Sequence, residues 1–155
     1  KNRGYYPPDN FVNPAEPDVK VKGSVEETNS GIESAMIFLH QRAEGLQVFD
    51  EQPEEWLSNT DGDSNIADIP MLHRRDKVEI VDAWGTPLAY FTNQSYGRTQ
   101  KIKLANDDAK VNVIGATAWK NPNTNGYLAP RSFQIISAGP DQKFNTEDDL
   151  TIPER

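Results

Sequence analysis

Cysteine is absent from the 155 residues. That removes disulfides, thiolate metal centres and cysteine nucleophiles, and leaves the compartment open. Histidine is scarce, with two residues. His40 lies inside an apolar-periodic stretch and reads as structural, and His73, before Arg74-Arg75, reads as a turn residue. No G-x-S-x-G, glycine-rich phosphate loop or H-E-x-x-H occurs, so a non-enzymatic role is expected. A glycosidase-type carboxylate pair stays open, because such pairs meet in space rather than in sequence. No apolar run nears the roughly 18 residues of a membrane span, and nothing reads as a signal peptide. Positive charge is short: 16 Lys and Arg face 24 Asp and Glu, for a net charge of −8. That balance argues against nucleic acid or anionic lipid as a main partner, since both reward basic patches. The chain opens on Lys1 rather than Met, so a cleaved or truncated product is expected.

What is present is a polar but globular composition, 35% hydrophobic and 26% charged, of single-domain length. Residues 1–29 carry Pro7, Pro8, Pro14 and Pro17 and read as an irregular lead-in, pinned to the core by Tyr5, Tyr6 and Phe11. In "NSGIESAMIFLHQRAEG" the spacing of Ile32, Met36, Leu39 and Ala43 predicts a helix over 30–44 with one apolar stripe. Ser30 and Glu33 fit a capping box at its start, and Gly45 fits a left-handed stop at its end. Residues 77 to 152 read mainly as strands: "KVEIVDAW", "KIKLAN" and "KVNVIGATAW" alternate, "PLAYFTN" follows a turn, and "SFQIISAG" is a final buried run. Helix first and strands afterwards predict an α+β fold with helix packed on an antiparallel sheet.

Two acidic stretches stand out. In "NTDGDSNIADIP" Asp61, Asp63 and Asn65 alternate like the first ligands of a calcium loop, with Gly62 permitting the turn. A full EF-hand is excluded, because the position that should be its closing glutamate is Leu72. The readings left are a plain acidic turn or a second, partial calcium site. In "SAGPDQKFNTEDDLT", Asp141, Glu147, Asp148 and Asp149 face only Lys143. Such crowding opposes folding unless the loop is solvated or closes around a cation. A loop leaving its strand at Gly139-Pro140 and returning through Asp148-Asp149 can bring Asp141, Asp148 and Asp149 to one point. Calcium, which takes six to eight oxygens, suits that set better than magnesium.

Three islands, "NRGYYPPD", "DAWGTPLAY" and "SFQIISAGPDQKFNTEDDL", together resemble the major pseudopilins of type II secretion systems, the general secretion pathway protein G family. Asp82, Trp84, Gly85, Pro87 and Tyr90 match the first of that family's two main motifs. Ser137, Gly139, Asp141, Asp148 and Asp149 match the second. Ala83, Thr86 and Gln142 depart from it, and Gln142 replaces a glycine, which predicts a diverted loop path. The resemblance implies a pilin-like α+β head of one or two helices on an antiparallel sheet, with an N-terminal spine helix preceding Lys1 and anchored in the inner membrane. It further implies a periplasmic head that self-associates into a helical fibre with minor pseudopilins, and a structural role in protein secretion. It implies calcium at Asp141, Asp148 and Asp149, with carbonyls near Ala138 and Pro140. A calcium-dependent cell-surface binding module, with Trp56, Trp84 or Trp119 exposed for stacking, is the alternative. Trp84 itself is expected in the core.

Overall fold

The computed structural model describes residues 6, 7, 9, 28–40, 53–69, 74–105 and 112–154. The one α-helix among the described residues, α1, spans Ser30–His40. A 3-10 turn follows at Glu54–Trp56, and then nine short strands: β1 Leu57–Ser58, β2 Ser64–Ile69, β3 Arg74–Asp76, β4 Glu79–Ile80, β5 Ala89–Thr92, β6 Thr99–Lys103, β7 Val113–Thr117, β8 Phe133–Ser137 and β9 Leu150–Ile152. All pairings are antiparallel: β1 with β4, β2 with β3, β6 with β7, and a central sheet in the order β5-β8-β9.

The central sheet is covered on both faces, and its alternation shows how. Ala89, Phe91, Ile136 and Ala138 point into a core shared with Ile102 and Ala116 of the β6–β7 hairpin. Leu88, Tyr90, Phe133 and Ile135 point the other way, toward Ile32, Ala35 and Met36 of α1 and Val78 beside β4. The registers Ala89↔Ile136 and Tyr90↔Ile135 keep the two sets apart, since successive side chains leave opposite faces of a strand.

The expected α+β class, a pilin-like head of one or two helices packed on an antiparallel sheet, is overturned. With one helix of 11 residues against nine strands, the described residues are mostly β. The helical period occurs once, whereas Gly, Pro, Asn and Asp divide most of the remainder into strands too short for one large sheet. The stretch 59–70, read from sequence as an acidic turn or a partial calcium site, supplies β2, with β1 just before it and β3 just after.

The helix also differs from its expected form. Ser30 through Phe38 are all buried, so α1 lies in the interior rather than presenting one apolar stripe. The Ser30–Glu33 capping box does not form, because neither Glu33 carboxylate oxygen has a hydrogen-bond partner among the described residues. Asn29, at φ 58°, precedes the helix, and its carbonyl accepts the Glu33 N–H at 3.2 Å. Residues 41–45, Tyr5, Phe11 and His73 lie outside the described residues. Tyr6 packs edge-on against Phe133 with ring centroids 5.0 Å apart, and His40 Nδ1 lies 2.8 Å from the Met36 carbonyl. No helix among the described residues is long and apolar enough to cross a membrane.

Candidate functional site

The acidic loop after β8 begins at Gly139, where φ is 66°. A Cβ there would meet the Asp148 carbonyl oxygen at 2.5 Å, so the two arms of the loop touch where only glycine fits. Gln142 adopts φ 55°, the left-handed region that glycine enters at least cost. Its side-chain amide donates to the Trp84 carbonyl at 2.7 Å, a contact that glycine could not make. Asp148 Oδ2 accepts the Asp141 N–H at 3.2 Å, and Asp141 Oδ1 accepts the Lys143 N–H at 2.8 Å. Asp149 is buried, and its Oδ2 accepts both Trp119 Nε1–H and the Asn145 N–H at 2.9 Å. Thr146 Oγ1 donates to Asp148. The loop is thus closed by donors of the chain itself, and its charges are met by N–H and O–H dipoles. Asp141, Asp148 and Asp149 do not form a group whose oxygens all lie within 4.8 Å of one another.

The motif islands are joined in space. Asp82 folds its own turn, with Oδ1 accepting the N–H groups of Trp84 at 3.0 Å and Thr86 at 2.9 Å. Its Oδ2 accepts Ser137 Oγ–H at 2.6 Å, linking the first motif to the second. Tyr90, also of the first motif, donates its hydroxyl to the Pro7 carbonyl at 2.7 Å. Asp9 receives the Thr92 N–H at 2.7 Å, the Thr92 hydroxyl at 3.0 Å and the Ser95 hydroxyl. Trp84, expected in the core, is 40% exposed, because the turn anchored by Asp82 carries its ring outward.

The carboxylates that do converge are others. Glu33 of α1, Asp61 of the turn between β1 and β2, and Glu79 of β4 each offer an oxygen within 4.8 Å of the other two. Asn29 supports the arrangement: its Nδ2 donates to Glu79 Oε1 and to Thr60 Oγ1, both at 2.9 Å, while its Oδ1 accepts the Lys103 N–H at 2.9 Å. Thr60 N–H donates to Glu79 Oε2 at 3.0 Å, and Thr28 Oγ1 to Asp61 Oδ2 at 2.7 Å. Lys77 is buried beside the group, bonded to Asp63 and 3.8 Å from Glu33 Oε2. Lys103 donates to the Asp61 carbonyl at 2.7 Å.

Burial first, then the Asp63 charge, pushes the Glu33 carboxyl up to about 10 against the pull of Lys77. Burial likewise lifts Glu79 to about 7, opposed by the Asn29 amide and the Thr60 N–H. Of the residues first read as a partial calcium site, Asp61 therefore joins a cluster, Asp63 pairs with Lys77, and the Asn65 side chain lies outside the description. Sequence reasoning passed over Glu33 and Glu79. The first sits where a capping glutamate would, and the second where a strand's polar partner would face water. Their distinguishing feature is burial, which the sequence does not mark.

Two surface depressions, of about 410 and 440 Å³, carry little acid chemistry. The first is lined by aromatic and basic groups around Trp119 and Arg98, and Asp9 is the single carboxylate of the second. No protein-family model, curated protein or solved structure matches the chain.

Proposed function

We propose that this chain is a structural, non-enzymatic subunit of a type II secretion pseudopilus, a periplasmic head that associates with copies of itself. The observation that carries the reading is the physical union of the three resembling islands. Pro7 hangs on Tyr90, and Asp82 binds Ser137. Residues dispersed over the chain thus serve one local construction, which supports reading them as one motif. The reading rests on that unit and the residues in it, not on the fold class.

Beyond the loop, β9 alternates exposed, buried, exposed, leaving Leu150 and Ile152 each 60% exposed along the edge of the central sheet. An edge strand with apolar residues facing water is a ready contact for another copy. Calcium at Asp141, Asp148 and Asp149 belongs to the same reading. Closing on an ion there would take Asp149 from the Trp119 indole, so calcium should shift Trp119 fluorescence.

Sedimentation of the chain over a concentration series tests the association. Reversible self-association is expected, weakened about tenfold or more in the double variant Leu150→Asp, Ile152→Asp, a loss of roughly 1.4 kcal/mol. A chain that stays monomeric throughout, or a variant that associates as well as the wild type, would refute it. Trp56 at 47% exposure and Trp84 at 40% favour one second reading, a sugar- or protein-binding module. Glycan-array binding lost on Trp84→Ala would support that reading instead.

A further inference from the structure

We propose that Glu33, Asp61 and Glu79 form a divalent-cation site of the hard, all-oxygen kind that calcium fills. The site is separate from the carboxyl-terminal loop and does not depend on the fibre reading. Its first support is convergence. The 4.8 Å limit on these oxygens is twice an ordinary calcium–oxygen distance of about 2.4 Å, the widest separation one such ion can bridge.

The second support is Glu33. Its side chain is fully buried, neither oxygen accepts a hydrogen bond among the described residues, and it points at the other two carboxylates. A buried carboxylate that has an ammonium 3.8 Å away but no hydrogen bond is costly, and native interiors pair such groups closely or give them to a metal. Lys77 does not fill the role. It is bonded to Asp63 and stands 3.8 Å from Glu33, beyond hydrogen-bond reach.

The remaining oxygens are oriented as ligands are. Asn29 and Thr60 hold both oxygens of Glu79, and Thr28 holds Asp61, the outer-shell support that fixes carboxylates around an ion. With no sulfur and no imidazole in the set, calcium is favoured over zinc or copper. The three ligands come from α1, the β1–β2 turn and β4, so a bound ion would fasten elements remote in sequence.

The test uses the whole chain, stripped with chelator and then titrated with calcium chloride while heat and melting temperature are followed. Uptake of calcium is expected with a rise of roughly 5–10 °C at a hundredfold excess over Kd. Glu33→Gln, close in shape, should weaken calcium at least tenfold and lose the rise. Asp148→Asn, in the carboxyl-terminal loop, should keep it. If Glu33→Gln fails to fold, Asp61→Asn on the partly exposed turn reports the same loss. A wild-type melting temperature indifferent to calcium would mean that protons occupy the cluster, and would overturn the proposal. So would a rise that survives both Glu33→Gln and Asp61→Asn, or one that disappears in Asp148→Asn.

Discussion

Single residues carry opposite instructions from burial and from hydrogen bonding, and Asp9 shows which one prevails. Its carboxylate accepts three hydrogen bonds, from Thr92 and Ser95, each of which favours the charged form. Burial nevertheless dominates and raises its pKa above the ordinary 3.8, with Thr92 and then Arg98 pulling the other way. Among the described residues Tyr90 and Tyr96 also sense it, and both stay neutral over the acid range. A raised folded-state pKa means that the folded chain holds the proton more tightly than the unfolded one. The resulting stability is full below the unfolded value and is lost as pH rises through the folded one. Asp9→Asn cannot lose that proton. The melting temperature of the wild type relative to Asp9→Asn should therefore fall as pH rises from the ordinary 3.8 through the raised folded-state value. A difference constant with pH would show that the hydrogen bonds balance burial, and one that rises with pH that they outweigh it.

At the scale of elements, α1 is held by contact rather than by its own capping. Gly31 is the point of closest approach, where an added Cβ would lie 2.6 Å from the Tyr90 carbonyl of β5 and 2.5 Å from the Gln100 amide. The Gln100 side chain could swing aside, but the β5 backbone cannot. In an exposed helix Gly→Ala would gain about 1 kcal/mol. Here overpacking of about 1–3 kcal/mol opposes that gain. Gly31→Ala is therefore expected to destabilise on balance, read as a lower urea midpoint. A raised midpoint would mean that α1 can shift away from the sheet. The helix itself was legible from the spacing of Ile32, Met36 and Leu39. Strands β6 and β7 were legible from alternation, β5 from the turn before it and β8 from its buried run. Strands β1 and β2 were not, because "LSNTDGDSNIADI" is dominated by turn formers, and its pairing is supplied by β3 and β4 further along the chain.

Across the whole molecule, β5 and β8 are the shared wall of two cores, so neither core can open without exposing the other's strands. Met36→Ala on one side and Ile136→Ala on the other each leave a cavity costing about 2–5 kcal/mol. Both should lower a single common melting transition, followed by calorimetry. Two separable transitions would show that the cores unfold independently. The same doubling of layers explains what could be read in advance. Composition and spacing alone fixed the lack of thiol chemistry, the acidic balance, the place of the one helix, the alternating strands and the glycine at the head of the acidic loop. These depend on residue type and near neighbours, which the chain displays directly. The mostly β class, the exposure of Trp84, the loop path through Gln142 and the meeting of Glu33, Asp61 and Glu79 were decided only by packing. Which carboxylates lose their water depends on segments far apart in the chain coming together, and a local pattern carries no record of that desolvation.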